Sequence, residues 1–210
     1  MIEPGMESDL IRELIRPAQR RQQCARALFA AVLAGVLLAC FLVPHRALGD
    51  VAVPSEYQLK GAFLLNFAKF IEWPAAAFSG DKSVFAICVF GTDPFGSALD
   101  DIARGKLIDN HELSIRRSSK PVEFRTCQLV FIGDADNKSV PALLEGLKGT
   151  SALVVGENEG FAQRGGGIQF VLENGKIRFL INVDTAQRAG LKVSSKLLAL
   201  AQIVHDVKGD

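Results

Sequence analysis

The fold of this chain is decided by three short apolar runs: SVFAICVF at Ser83–Phe90, CQLVFIG at Cys127–Gly133 and SALVVG at Ser151–Gly156. Each run has the length of a strand and is rich in β-branched and aromatic residues. Strands that are apolar along their whole length are buried on both faces, which is typical of parallel sheets covered by helices. The sequence therefore predicts an α/β fold, a three-layer Rossmann-like sandwich with a largely parallel central sheet.

A helix is predicted over residues 56–72, ahead of the first run. Ser55 supplies the side-chain oxygen of an N-cap, and Pro74 ends the helix because the residue before a proline avoids helical geometry. Apolar residues at three- and four-residue steps give this helix one buried face. They are Leu59, Phe63, Phe67 and the pair Phe70/Ile71.

Further elements between the runs continue the alternation of strand and helix. Asp93 and Pro94 have the residue types of an N-cap and a first helical position, so a helix is predicted to start there. His111–Arg117 alternates polar and apolar residues, which predicts a half-buried strand. A short helix is predicted at Val140–Lys148.

The carboxyl-terminal part is predicted to be a hairpin followed by helix. Asn174-Gly175 lies between Gly167–Leu172 and Lys176–Asn182, and Asn-Gly is the strongest short hairpin signal. The glycines 165–167 predict a flexible entry to this hairpin. A short helix is predicted over 185–189. A last amphipathic helix is predicted over 191–207, with Leu197, Leu200, Ala201 and Val204 on its apolar face.

The first 49 residues resemble an export signal rather than a folded domain. Ala27–Val43 carries no charged residue, arginines precede it, and the sequence suits cleavage between Gly49 and Asp50. We therefore predict a cytoplasmic n-region and signal peptide over 1–49, a single domain over 50–210, and a periplasmic location. Three alternatives stay open: an inner-membrane anchor through residues 27–43, a lipoprotein acylated at Cys40, and translation from Met6.

Composition and cysteine usage narrow the class of protein. The chain has a formal net charge of +1, 49% hydrophobic and 22% charged residues, which is globular and gives no basic surface for nucleic acid. Cys88 and Cys127 are the cysteines that remain beyond residue 49. In an oxidising compartment such a pair predicts a disulfide. Two buried free thiols are the alternative.

The sequence lacks the common catalytic motifs, which predicts that the protein is not an enzyme and uses no cofactor or metal. No phosphate loop and no nucleophile elbow occurs, and no dinucleotide fingerprint follows a strand. The segment from His111 to Ile115 begins like a zinc-protease helix but lacks the second histidine. Glu157 and Glu159 follow a strand end in a glycine-rich loop, so they are candidate ligand contacts.

Several segments resemble the YfiR-like family. The first is Tyr57-x-x-Lys60-Gly61-Ala62-Phe63 continuing through Asn66-Phe67-Ala68-Lys69-Phe70 to Glu72-Trp73-Pro74. Others are Gly91-x-Asp93-Pro94-Phe95-Gly96, Gly160-Phe161-Ala162, Gly165-Gly166-Gly167-Ile168, Ile177-Arg178-Phe179-x-Ile181-Asn182 and Arg188-Ala189-Gly190-Leu191-Lys192 through Leu198. The likeness spans residues 56 to 205 in the family's order.

The resemblance implies a periplasmic inhibitor that binds the periplasmic region of an inner-membrane diguanylate cyclase and lowers cyclic di-GMP. An outer-membrane lipoprotein sequesters such repressors. Cys88 and Cys127 fall where the family has a cysteine pair implicated in redox state, whereas a second, closely spaced pair has no counterpart because residues 128–210 contain no cysteine.

The surface that binds the cyclase is predicted to include aromatic, cationic or amide side chains, although the phenylalanines of the first helix could equally be core. The candidates are Phe67, Phe70, Trp73, Arg178, Asn182, Arg188 and Lys196. A homodimer is left open. The alternative function is a periplasmic small-molecule-binding or sensory module that acts without a cyclase.

Overall fold

The fold is built on an eight-stranded sheet, and the computed structural model describes residues 54–78, 84–133 and 138–206. The predicted signal segment, its cleavage site and the alternatives at Met6 and Cys40 lie outside the described residues. The strands are β1 (Ile71–Glu72), β2 (Phe85–Phe90), β3 (Leu107–Ile108), β4 (His111–Ser118), β5 (Leu129–Ile132), β6 (Leu153–Gly156), β7 (Ile168–Glu173), β8 (Lys176–Asn182), β9 (Lys192–Val193) and β10 (Gln202–Val204).

Helices are short apart from the first. They are α1 (Glu56–Phe70), α2 (Ser97–Ala103), α3 (Val140–Gly146), α4 (Val183–Arg188) and α5 (Ser195–Leu198), with 3₁₀ helices at Ala75–Ala77 and Pro121–Thr126. The Ser55 N-cap is confirmed: Ser55 and Gln58 exchange side-chain-to-backbone hydrogen bonds in a capping box. Helix α1 ends at Phe70, two residues earlier than predicted, because Ile71–Glu72 pairs with β9.

The sheet is largely parallel, as predicted. Its strands lie in the order β10-β8-β7-β6-β5-β2-β4-β3, and adjacent strands are parallel except in the pairs β7–β8 and β3–β4. Every residue of β2, β5 and β6 is buried. The Asn174-Gly175 hairpin is also confirmed, with Glu173 opposite Lys176 and Asn174 at a positive φ of 50°.

The side chains of β2 alternate between two cores, which makes three layers. Phe85 and Ile87 face the core that α1 and α2 cover. Ala86 and Cys88 face the opposite core, which α3 and the 3₁₀ helix at Pro121–Thr126 cover. The mixed α/β sandwich predicted from the apolar runs is therefore present.

The predicted start of α2 at Asp93-Pro94 is wrong. The helix begins at Ser97, after Gly96 at a positive φ of 54°. The Asp93 carboxylate is used elsewhere: it accepts a hydrogen bond from the Phe95 backbone at 2.8 Å and forms an ion pair with Arg117 at 2.6 Å. These two interactions hold the segment after Asp93 in a turn, although its residue types are compatible with a helix.

The predicted last helix over 191–207 is also wrong. Ser194 caps a helix of four residues, α5, and the chain then forms β10, which pairs in parallel with β8. Leu200, expected on the buried face, exposes 69% of its surface. The free edge of β8 offers hydrogen bonds to Gln202–Val204, and this long-range pairing overrides the local helical periodicity.

A phenylalanine ring packed between glycine backbones shapes the segment that joins β6 to β7. Phe161 has no exposed surface. A Cβ at Gly156 would lie 2.9 Å from its ring, and a Cβ at Gly166 would overlap the ring. The Gly166 N–H donates to the Phe161 carbonyl at 3.0 Å. The predicted flexible entry to the hairpin is therefore a packed turn.

Replacing Gly166 with alanine should lower the free energy of unfolding by about 3 kcal/mol, because the new methyl group meets a ring that cannot move away from the backbone behind it. Gly146→Ala is the matched control, since the added Cβ would meet only the Pro121 Cβ at 3.9 Å. Urea unfolding curves of both variants measure the difference. Equal midpoints for the two variants would contradict this account.

The disulfide predicted from the cysteine pair is present in the structure. Cys88, in the middle of β2, is bonded to Cys127, which lies just before β5, with Cα atoms 6.1 Å apart. Both residues are buried in the core beneath α3. The bond spans a sequence separation of 39 residues and ties together two neighbouring parallel strands.

Removing this bond should cost roughly 4 kcal/mol of stability in the chain-entropy model. The double variant Cys88→Ala/Cys127→Ala should unfold at correspondingly lower urea concentration. Addition of dithiothreitol should shift the unfolding midpoint of the parent protein in the same direction and leave the double variant unchanged. If the reductant left the unfolding midpoint of the parent protein unchanged, the disulfide would not contribute to its stability.

Candidate functional site

A buried lysine lies near the carboxyl ends of the parallel strands. Lys60, in the second turn of α1, exposes 5% of its surface, and lysines are almost never so buried unless they are paired. Its Nζ forms ion pairs with Glu157, the first residue after β6, and with Glu56 at 2.5 Å. The two carboxylates compensate a cation that would otherwise be costly in the interior.

Burial and charge act in opposite directions on Lys60. Burial lowers the pKa of its ammonium group, but hydrogen bonds to Glu157 and Glu56, together with the Glu157 charge, outweigh burial and raise that pKa above the ordinary value. Burial and the Glu157 charge also raise the pKa of Tyr57, whose hydroxyl donates to Glu157 Oε1 at 3.4 Å. Lys60 is therefore a cation and Tyr57 a neutral donor at physiological pH.

Lys60 and its two carboxylate partners line a cleft of about 360 Å³, hereafter the acidic cleft. Its apolar lining comes from β7 and β8. Its polar lining consists of Glu56, Lys60, Glu157, Glu159 and Gln169. Three carboxylates face one ammonium group, so the cleft favours cationic over anionic molecules. The loop beyond the carboxyl end of a parallel strand is where ligands bind in open α/β sheets.

Glu157 and Glu159, the two predicted ligand contacts, differ in burial and in whether their carboxylates are paired. The Glu157 side chain is almost buried and is engaged by Lys60 and Tyr57. Glu159 is exposed, and among the described residues no cation pairs with its carboxylate. Glu157 therefore holds the cluster together, and Glu159 is the carboxylate that remains available. That either residue binds a ligand stays a prediction.

Two of the predicted partner contacts lie inside the protein, which corrects that part of the prediction. Phe67 has no exposed surface, and its ring centroid lies 5.0 Å from that of Phe179. Asn182 is equally buried, and its amide donates to Ala162 O at 2.7 Å. A side chain with no exposed surface cannot contact a partner directly, so both residues support the fold.

Trp73 is half-buried and makes contacts within the protein. Its indole N–H donates to the Ala68 carbonyl at 3.0 Å, and its ring packs edge-on against Phe85 at 5.0 Å between centroids. These contacts fix the turn that leaves α1. Only part of the ring remains available at the surface.

Phe70 and Lys196 are brought together by the structure, although 126 positions separate them in the sequence. They line a small recess between α1 and α5, hereafter the α1–α5 groove. Phe70 exposes 40% of its surface, and Leu200, also in this groove, exposes 69%. The remaining lining residues are Phe63, Asn66, Phe179 and Leu197.

The two predicted arginine contacts are exposed but do not line this groove. Arg178 lies on β8, opposite Val171 of β7. Arg188 forms an ion pair with Asp206. Its hydrogen bond outweighs the opposite effect of burial and holds the pKa of Asp206 below its usual range. Arg188 thus connects α4 to the segment that follows β10.

Two residues that matter at these sites were not singled out as site residues from the sequence. Lys60 is part of the family motif at the start of α1, and its spacing of four from Glu56 is a helical ion-pair signal. For Leu200, the sequence predicts a place on a buried helix face. Nothing local indicates its exposure, because that depends on α5 ending after four residues.

The described residues contain neither a cluster of metal-binding side chains nor a helix that could span a membrane. No group of three or more histidine, cysteine, aspartate or glutamate side chains there could hold a metal ion. None of the helices in residues 54–78, 84–133 and 138–206 has the length and hydrophobicity needed to cross a bilayer.

A family model described as YfiR/HmsC-like matches residues 57–202, which run from the first turn of α1 into β10. The chain belongs to the YfiR/HmsC-like family. The resemblance noted in the sequence is therefore confirmed. The acidic cleft and the α1–α5 groove both lie within the part of this YfiR/HmsC-like chain that the family model covers.

Two solved structures show distant similarity. One is the ABC domain from Streptococcus pneumonia in complex with L-Trp, at 9% identity and a TM-score of 0.41, with 61% of this chain and 57% of that chain covered. The other is a conserved domain protein from Vibrio cholerae O1 biovar El Tor, at 10% identity and a TM-score of 0.44, with 71% and 60% covered. The chain thus spans about three fifths of each structure's length.

Replacing Glu157 with glutamine should destabilise the YfiR/HmsC-like domain by about 2 kcal/mol, because Lys60 would keep only Glu56 as a partner for its buried charge. Glu159→Gln is the matched control and should leave stability unchanged within about 0.5 kcal/mol.

The pH dependence of the stability lost in Glu157→Gln follows from the raised pKa of Lys60. The stabilisation is complete below the unfolded-state pKa of about 10.4 and is lost as pH rises through the folded-state pKa. The difference between the parent protein and Glu157→Gln should thus be constant from about pH 7 to 9. Equal stability of the Glu157 and Glu159 variants would show that Glu157 does not stabilise the buried charge of Lys60.

Proposed function

We propose that this protein is a periplasmic repressor that binds the periplasmic region of an inner-membrane diguanylate cyclase and lowers cyclic di-GMP. The YfiR/HmsC-like family match over residues 57–202 is the observation that carries the proposal. An outer-membrane lipoprotein that sequesters the repressor belongs to the same proposal. The family match supports regulation by contact rather than catalysis.

Repression of this kind needs only a preference for one conformation of the cyclase. Shifting a cyclase from 99% active to 99% inactive requires a difference in binding free energy of about 5.5 kcal/mol. Fully burying one large apolar side chain contributes about 1.5–3 kcal/mol. Two or three such side chains, with a few polar contacts around them, therefore suffice for the proposed activity.

The α1–α5 groove is the surface that best fits this requirement. Phe70 and Leu200 are both exposed there, and Lys196 supplies a cation at the same recess. The groove lies against the buried aromatic cluster of Phe67 and Phe179, so its floor is rigid. An apolar patch on a rigid floor is the common form of an interface anchor.

The proposal is tested by measuring cyclic di-GMP in cells that lack the gene. Under conditions in which the protein is normally made, cyclic di-GMP should rise on deletion and return when the parent gene is restored. Leu200→Glu should fail to restore repression, because a carboxylate in the groove opposes burial against a partner. No rise on deletion would refute repression.

Val122→Glu is the matched control for Leu200→Glu. Val122 exposes 72% of its surface, close to the 69% of Leu200, but it lies on the 3₁₀ helix that covers the opposite core. The Val122→Glu variant should repress like the parent protein. The cyclase should copurify with the parent protein and with this variant, but not with the Leu200→Glu variant. Equal repression by both glutamate variants would exclude the α1–α5 groove as the docking surface.

The acidic cleft favours a second function, a periplasmic small-molecule-binding or sensory module that acts without a cyclase. Its three carboxylates and apolar wall suit a small organic cation. Thermal stabilisation of the purified protein by such a compound, with no cyclase in the pull-down from membranes and no change in cyclic di-GMP on deletion, would favour this function over repression.

A further inference from the structure

A third recess, of about 610 Å³, lies on the sheet face opposite α1, hereafter the α3–α4 groove. Its floor is apolar and is formed by Leu144, Leu147, Ala152 and Val154. Three cationic side chains also line it, Lys148, Arg164 and Arg188, against a single carboxylate, Glu145. Pockets that hold small organic molecules have volumes of roughly 300–1,000 Å³, so this groove is large enough for one.

Two of the three cations are already paired. Lys148 is 2.6 Å from the Glu145 carboxylate, and Arg188 forms its ion pair with Asp206. Within residues 54–78, 84–133 and 138–206, no carboxylate pairs with Arg164. The Arg164 guanidinium is therefore the cation in this groove with free capacity for a planar anion.

The position of Arg164 is set by the packed turn around Phe161. The Arg164 backbone N–H donates to the carbonyls of Gly160 at 3.1 Å and Phe161 at 3.2 Å. Gly160 has a positive φ of 67°, and a Cβ there would lie 2.6 Å from Arg164 Nη1. The guanidinium thus lies against bare backbone, which limits its freedom and reduces the entropic cost of binding.

We infer that the α3–α4 groove binds a small organic anion in which a carboxylate is attached to an apolar body. The carboxylate meets Arg164, whose planar guanidinium offers two parallel N–H donors. The apolar body lies on Leu144 and Val154. The acidic cleft would repel the same molecule, because its carboxylates outnumber its ammonium group. This inference does not depend on the proposed repression of a cyclase.

The test is an NMR titration of the isotope-labelled protein, purified as cells produce it, with 3-phenylpropionate and with its neutral analogue 3-phenylpropionamide. The carboxylate should shift the methyl signals of Leu144, Leu147 and Ala152 in a saturable way. The amide should bind about tenfold more weakly, because it lacks the charge-assisted hydrogen bonds to Arg164. Equal affinity for the two compounds, or no saturable shift with the carboxylate, would overturn the inference.

Variants locate the contact. Arg164→Gln should weaken 3-phenylpropionate binding about tenfold and leave the weak binding of the amide unchanged. Arg104→Gln is the matched control, because Arg104 is an exposed arginine that follows α2 on the other side of the sheet, and it should bind like the parent protein. Undiminished affinity in a folded Arg164→Gln variant, or an equal loss in the Arg104 variant, would rule out Arg164 as the anion contact.

Discussion

Burial of three apolar strands on both faces is the constraint on which the rest of this molecule depends. No residue of β2, β5 or β6 is exposed, so helices must cover both sides of the sheet. Parallel strands end at the same edge, and the loops that follow them therefore meet there. This geometry brings Glu157, just after β6, to Lys60 on α1 and makes the acidic cleft a consequence of the fold.

The described surface divides into regions of different chemistry, each on a different set of elements. The acidic cleft lies beside α1 and the hairpin, the α1–α5 groove is apolar, and the α3–α4 groove is lined by cations. The disulfide between Cys88 and Cys127 lies in the core beneath α3.

Predictions from the sequence succeeded where a signal is local. The capping box at Ser55, the Asn174-Gly175 turn and the fully apolar strands each depend on residues within a few positions of one another. The predictions failed where a residue distant in the sequence competes for the same groups. Asp93 bonds to Arg117 instead of capping a helix, and Gln202–Val204 pairs with β8 instead of continuing one. The candidate sites divide in the same way: Glu157 and Glu159 were recognisable as loop residues after a strand, whereas the partner of Glu157 was not.

The sequence by itself determined the fold class, the cysteine pair and the family, because hydrophobic pattern, composition and motif order are properties of the chain. Only the tertiary structure decided which side chains face outward. Phe67 and Phe70 are three residues apart on one helix, yet the first is fully buried and the second exposes 40% of its surface. Periodicity identifies an apolar face but not how far other elements cover it. Around Phe67 and Phe70 that coverage comes from β7, β8 and α5, about a hundred or more residues away.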